Sequence, residues 1–220
     1  MGILADIQAV TPSTLDHGPL RRTGPPLRST VRRGRASVAR HPDPVGRAGL
    51  IRAAGWTFRH EAPGDESGID AVIRAAFAGV AHGSGTEAAI VAALRNAGAL
   101  AISLVAESEG QILGHAAFSP VTIDRHPGRW FGLGPLSVLP DRQRAGIGAG
   151  LIEEGLARLA ASGAKGCVVL GDPAYYRRFG FACDPALRYS AAPAEYFQSI
   201  VIAGHRPKGE VAYHEAFAAG

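Results

Sequence analysis

The stretch that most constrains this chain is Gly134-Pro-Leu-Ser-Val-Leu-Pro-Asp-Arg-Gln-Arg-Ala-Gly-Ile-Gly148, which runs directly into a long amphipathic segment. Residues 130–139, rich in apolar and aromatic side chains, read as a strand. Leu151, Ile152, Leu156 and Leu159 then recur at helical spacing, with Glu154 and Arg158 one turn apart. The spacing predicts a helix over 148–162, with Gly163 as its C-terminal cap. Pro135 has no N–H to give a ladder, so it belongs at a bulge or where neighbouring strands part. The sheet is expected to open there. The first N–H groups of a helix have no intrahelical partner and carry the positive end of its dipole, which makes the turn an anion site. Gly146 and Gly148 remove side chains that would hold a phosphate off the backbone, and Arg142 and Arg144 add positive charge. Taken alone, the same Gly-x-Gly also fits a plain strand-to-helix turn.

The surrounding pattern is a mixed α/β domain over 55–220. A short strand is predicted at 56–60. A helix carries Ile69, Val72, Ile73, Ala76 and Phe77 and stops at Gly79; a second covers 86–96, with Ile90, Val91 and Leu94 on one face. Strands 100–107 and 112–123 flank a hairpin at 108–111, a polar turn fills 124–129, and residues 130–139 lead back. A buried strand at 166–170 precedes a short helical turn through Tyr175, Tyr176 and Phe179, which Gly180 ends. Residues 201–202 and 211–217 read as one or two closing strands.

The net charge of +4 is confined to the start of the chain. The first fifty residues hold eight arginines against Asp6, Asp16 and Asp43, whereas the remainder is nearly balanced. This Arg-, Pro- and Gly-rich tail, residues 1–52, cannot bury enough apolar surface to offset chain entropy and is expected to be disordered. A transit peptide is disfavoured by Asp6 and Asp16 and by the lack of an amphipathic helix ahead of the arginines. A nucleic-acid arm and a solvated extension remain, the second favoured. Cys167 and Cys183 are too few for a disulfide framework and lack zinc-site spacing, so both read as reduced thiols and no metal is expected. No apolar run reaches the roughly 18 residues of a membrane span, and a soluble cytoplasmic protein is expected.

The turn is not a Walker loop, because no Gly-Lys-Ser/Thr follows at the required spacing. Nor is it the dinucleotide fingerprint, whose third glycine is replaced by Leu151. Gln143-Arg-Ala-Gly-Ile-Gly148 instead resembles the Gln/Arg-x-x-Gly-x-Gly/Ala signature of the GNAT superfamily of N-acetyltransferases. Tyr176-Arg-Arg-Phe-Gly-Phe181 resembles its Tyr-x-x-x-Gly-Phe element. Gly134–Val138, Leu170–Tyr176 and Tyr213–Phe217 are similar to a bacterial subgroup of predicted acetyltransferases, the YhbS-like group.

The resemblance implies the acyl-CoA N-acyltransferase fold, in which a central, mostly antiparallel sheet is splayed at a β-bulge and flanked by helices. It implies acetyl-CoA as cosubstrate, bound by Leu136, Val138, Gln143, Arg144, Ala145, Gly146, Ile147 and Gly148. The strand at Leu136–Val138 would part from its neighbour to admit the pantetheine arm. A backbone N–H at or beside Val138 would face the thioester oxygen. An amine would then attack directly through a tetrahedral intermediate, and Tyr176 would protonate the departing thiolate. Tyr176 also fits a core aromatic. Tyr175, one step along a helix, points about 100° away. Asp172 stands where many relatives carry an Asn that orders this region.

No residue stands out as the general base. Glu107, Ser119, Asp124 and His126 are candidates, each with a surface or turn alternative, and proton loss to water is another route. His115 reads as a core or rim histidine. The acceptor is a small-molecule or protein amine, with no membrane partner; monomer and homodimer both stay open. Competing readings are a non-catalytic CoA-binding regulatory module and a nucleic-acid- or ribosome-associated protein that uses the basic arm.

Overall fold

The computed structural model of the protein describes residues 55–78 and 85–218. The arginine-rich segment 1–52 and the expected helix stop at Gly79 lie outside them. In chain order the elements are β1 (Thr57–His60), α1 (Glu66–Phe77), α2 (Glu87–Asn96), β2 (Ile102–Ser108), β3 (Gln111–Ile123), β4 (His126–Val138), α3 (Ile147–Ala161), β5 (Gly166–Leu170), the short α4 (Pro173–Tyr176), β6 (Leu187–Arg188), β7 (Phe197–Val201) and β8 (Gly209–Ala212). One sheet runs β1-β2-β3-β4-β5-β7, with β8 joining the far end of β3 and β6. Among the described strands only the pairs β4–β5 and β6–β8 are parallel. The chain is thus α/β with a mostly antiparallel sheet flanked by helices, as expected.

Two expectations change. The polar turn placed at 124–129 is far tighter: Asp124 and Arg125 both take positive φ, Ile123 pairs with His126, and β4 starts at once. Two consecutive left-handed residues make the hairpin turn whose twist matches the flanking strands, and its polar surface hid the strand from a composition-based reading. The closing strands are also reassigned. β7 begins at Phe197, and β8 ends at Ala212, so that 215–218 form a 3-10 turn instead of a strand.

The period-two alternation of β3 sorts the core. Ala116 and Phe118 face α3, where they pack with Leu104, Ala106, Leu136, Ile147, Leu151 and Ile152. Ala117 faces the other way with Val105, against Ile69, Val72 and Ile73 of α1 and Val91 of α2. Each fully buried aliphatic side chain of this kind contributes about 1.5–3 kcal/mol. Helix α3 approaches the sheet closely at two glycines, Gly155 facing the ring of Phe118 and Gly150 that of Phe58, where a β-carbon would overlap the ring.

Candidate active site

The sheet parts where Pro135 predicted it would. Pairing between β4 and β5 runs from Trp130↔Gly166 to Leu133↔Val169 and stops. On the β3 side, Leu133 pairs with Phe118 and Leu136 with Ala116, so Gly134 and Pro135 together oppose the single residue Ala117. This is a β-bulge, with the Gly134–Pro135 peptide in the cis form. Beyond it β4 continues along β3 alone, with Ser137↔His115 and Val138↔Gly114. The Leu139 N–H donates to the Leu113 carbonyl at 2.9 Å. In an antiparallel ladder successive residues bond to alternate sides, so Ser137 turns its backbone toward β3. The N–H groups of Leu136 and Val138 therefore face the gap vacated by β5. Their side chains lie in the α3-face core, whereas the Ser137 side chain lies on the opposite face.

The gap ends at the start of α3. After a 3-10 turn at Pro140–Arg142, Arg144 takes φ 62° and Gly146 φ 98°, and Ile147 opens the helix. Left-handed residues in such a turn direct successive N–H groups into a concave nest. Among the described residues no side chain caps α3, and its first turn holds no acidic residue, in contrast to Glu66 of α1 and Glu87 of α2. The N-terminus therefore keeps its positive character for an anion. Arg142, Gln143, Arg144, Ala145 and Gly146 are exposed. Ile147 is buried and packs toward Gly114, so it can serve a ligand only through its N–H. Gln143 reaches back instead: its Nε2 donates to the Val138 carbonyl at 3.3 Å, tying the turn to the parted strand.

Tyr175 and Tyr176 do diverge, their rings meeting edge to face at 5.1 Å. Tyr176 packs over Gly171 at the end of β5 and against Phe181. The Tyr175 hydroxyl lies over Gly148, 3.1 Å from where a β-carbon there would be, a position that motif reading did not anticipate. Burial pushes the Tyr175 hydroxyl pKa up despite Arg178, whose guanidinium stacks 4.3 Å from its ring centroid. Asp172 caps α4, its Oδ1 accepting from the Ala174 N–H at 2.8 Å, and buried Gln198 donates to the Gly171 carbonyl at 3.0 Å. Asp172 therefore orders the segment that aims both tyrosines.

Most of the candidate general bases have other tasks, seen in their contacts. Glu107 pairs with Arg59 at 2.8 Å and accepts from the Gly110 N–H. Asp124 holds the Glu210 N–H at 2.8 Å, and His126 is exposed at the hairpin. Ser119 is fully buried, with no partner for its hydroxyl among the described residues. Sequence reading missed a buried polar chain crossing the sheet. Arg95 grips Glu61 at 2.5 and 3.0 Å, the Ser103 hydroxyl donates to Glu61, and Ser103 Oγ lies 2.8 Å from His115 Nε2. Burial lowers the His115 pKa to about 4; the nearby Glu61 opposes this, and Arg95 reinforces it. The bonded partners lie 12 to 42 positions apart, so no local spacing announces them.

Among the described residues no helix is long and apolar enough to cross a membrane, and no group of three His, Cys, Asp or Glu side chains is placed to hold a metal. Residues 99–183 match the acetyltransferase (GNAT) domain family. The chain is 43% identical over 125 residues to the uncharacterized N-acetyltransferase YhbS of Escherichia coli K12, spanning 56% of this chain and 72% of that one. It is 34% identical over 145 residues to YjhQ of the same strain, spanning 64% and 76%. A GNAT family acetyltransferase from Brucella melitensis, solved with acetyl-CoA, superposes with a TM-score of 0.67 at 51% identity, covering 74% of this chain and 97% of that one. The E. coli YhbS structure, solved with CoA, gives 0.69 at 35% identity, covering 81% and 96%. With the splayed sheet and the uncapped helix turn inside the matched region, the chain belongs to the GNAT family of acetyltransferases.

Proposed function

We propose that the protein transfers the acetyl group of acetyl-CoA to a primary amine, and that Leu136, Val138 and the turn Gln143–Gly148 hold the cosubstrate. One observation carries this reading: an open strand edge, from Leu136 to Val138, leads without interruption into an uncapped helix N-terminus. An extended amide-bearing arm can complete the first as a strand would, and a pyrophosphate suits the second. The relatives solved with acetyl-CoA and CoA support the same ligand.

Bound acetyl-CoA supplies an activated acyl carbon and a thiolate leaving group. The Val138 N–H, turned toward the gap, donates to the oxygen on which negative charge grows; one such donor is commonly worth about 3–4 kcal/mol. Arg144, Ala145, Gly146, Ile147 and Gly148 present backbone N–H groups to the pyrophosphate. Tyr176 gives its phenolic proton to the leaving sulfur, and the nitrogen, cationic after attack, gives up one proton through water, which restores the phenol; phenols ionise only near pH 10, so at neutral pH such a group has its proton to give. Asp172 keeps α4, and with it Tyr176, in place.

The test is CoA release from acetyl-CoA across methylamine, spermidine, glucosamine and an alanyl-peptide, with Tyr176→Phe alongside. Thermal stabilisation by acetyl-CoA and a drop in kcat of about 100-fold in Tyr176→Phe are expected. A protein that acetyl-CoA neither binds nor stabilises would refute the reading; unchanged turnover in Tyr176→Phe would remove only the acid assignment.

A further inference from the structure

The ladder makes His115 and Ser137 direct partners across β3 and β4. Cross-strand partners share a face of the sheet, with β-carbons about 5 Å apart. That face is the one covered by α1 and α2, because His115 alternates with Ala116 in the α3-face core and Ser137 alternates with Leu136 and Val138. Both side chains are buried, at 0% and 2% exposure, yet among the described residues His115 Nδ1 and Ser137 Oγ have no hydrogen-bond partner. Each such atom costs the fold about 1–3 kcal/mol, and two side by side call for an explanation.

The tautomer of His115 follows from its neighbours. Glu61, held by Arg95, has its carboxyl below the ordinary range: burial pushes it up, but the hydrogen bonds from Arg95 and Ser103 outweigh that. As an ionised acceptor it takes the single hydroxyl proton of Ser103. Ser103 Oγ can then only accept from His115, so the proton sits on Nε2 and Nδ1 carries the bare lone pair. Burial keeps the ring neutral, so Nδ1 stays an acceptor at neutral pH.

We propose that His115 Nδ1 and Ser137 Oγ seat the attacking amine by accepting its two N–H hydrogens, with Ser103, Glu61 and Arg95 as positioning residues that fix the imidazole. The inference rests on the acetyl-transfer reading above. A carbonyl held edge-on by the Val138 N–H lies roughly in the plane of the sheet, so its carbon is attacked from one face or the other. The α3 face is filled by Leu136, Ile147 and Phe118. The opposite face carries the two unsatisfied acceptors. A neutral primary amine fits them: its two hydrogens are taken and its lone pair is left to point at the carbonyl. An ammonium has no lone pair, and a secondary amine has one hydrogen too few.

The test compares His115→Gln, His115→Asn and Ser137→Ala with the native protein, using saturating acetyl-CoA and the fastest of the four acceptors named above. Glutamine can keep a donor near the Nε2 position but has no acceptor at Nδ1; asparagine does the reverse. In His115→Gln, kcat/KM for the amine should fall roughly 10- to 100-fold, with acetyl-CoA affinity unchanged and His115→Asn less impaired. Ser137→Ala should lose about tenfold while melting no lower than native, because it removes an unsatisfied hydroxyl. A purely structural His115 would reverse the order of Gln and Asn and leave Ser137→Ala fully active, and that pattern overturns the proposal. Independently of activity, the imidazole 15N spectrum should show Nε2 protonated and Nδ1 bare; the other tautomer also overturns it. A native protein that fails to bind acetyl-CoA overturns the acetyl-transfer reading and this inference with it, whereas native turnover matched by His115→Gln overturns this inference alone.

Discussion

Replacing Gly155 by alanine tests how α3, and with it the anion turn, is seated on the sheet. In an exposed helix interior the change would gain about 1 kcal/mol of helix propensity. Here the new β-carbon would fall well inside 3.0 Å of Cζ and Cε2 of Phe118 and 3.2 Å from Cε1, where carbon contacts prefer about 3.5–4.0 Å. Phe118 is fully buried among Leu136, Leu151 and Ile152, so neither ring nor helix can yield without opening that core. Overpacking of this kind costs about 1–3 kcal/mol, and an overlap this deep belongs at the upper end. The net loss is then about 2 kcal/mol, or about 4–8 °C in Tm for a domain of this size. Gly68→Ala in α1 is the control. Its β-carbon would meet only the flexible tip of Ile112, at 3.0 Å, and the variant should melt at or slightly above the native temperature. Calorimetry on both, with Phe118→Leu in each background, measures the contact: truncating the ring should cost at least about 1 kcal/mol less when Gly155 is already alanine. A Gly155→Ala protein that melts with or above the native one would refute this account of how α3 is seated.

Gly146→Val places a β-branched residue at φ 98°, which should cost about 1–3 kcal/mol and weaken acetyl-CoA binding measured by calorimetric titration. Asp172→Ala removes the cap of α4 and should lower Tm by the equivalent of about 1 kcal/mol, with kcat falling more than KM rises. The Glu61 carboxyl is held below its ordinary value of 4.5, so it contributes stability above that pH and loses it as pH falls through its lower folded value. Denaturant midpoints should therefore begin to drop as pH falls below about 6.5, where the unfolded chain protonates His115 and the buried ring does not, and should drop further below about pH 4.5 as Glu61 is protonated. Arg95→Met should flatten that acid limb and cost about 2 kcal/mol at pH 7, because it strands a largely buried carboxylate.

Features with a local cause could be read from the sequence. Pro135 has no N–H and Gly146 tolerates a left-handed φ wherever the chain goes, so the bulge and the turn followed from residue type. The 3.6-residue stripe of Leu151, Ile152 and Leu159 likewise placed α3 to within one residue. What stayed hidden depended on the third dimension. The His126–Arg129 segment looks like a loop by composition and is a strand because Asp124 and Arg125 turn the chain within two residues. The fate of the base candidates was equally invisible. Nothing near Glu107 or Asp124 in sequence shows that Arg59 and the backbone of Glu210 occupy their carboxylates. The buried chain from Arg95 through Glu61 and Ser103 to His115 joins a helix, a loop and two strands, and only the register of the sheet brings it together.

The three residues after the bulge show why that register matters for chemistry. With pairing to β5 gone, one short length of β4 points in three directions. Leu136 and Val138 anchor it into the α3-face core, their N–H groups face the open edge, and Ser137 faces the side of α1 and α2. A slip of one residue would exchange all three roles. It would put a hydroxyl into an apolar core, a branched side chain beside His115, and the backbone N–H of Ser137 at the open edge. The bulge at Gly134 and Pro135 sets this phase, because it adds one residue to β4 against β3. Deleting either residue should therefore abolish turnover even in a chain that still folds, whereas changes to the Val138 side chain that nearly preserve volume, such as Val138→Ile, should affect stability more than kcat. If Val138→Ile instead lost activity at full stability, the side chain and not the backbone N–H would be the part that meets the substrate.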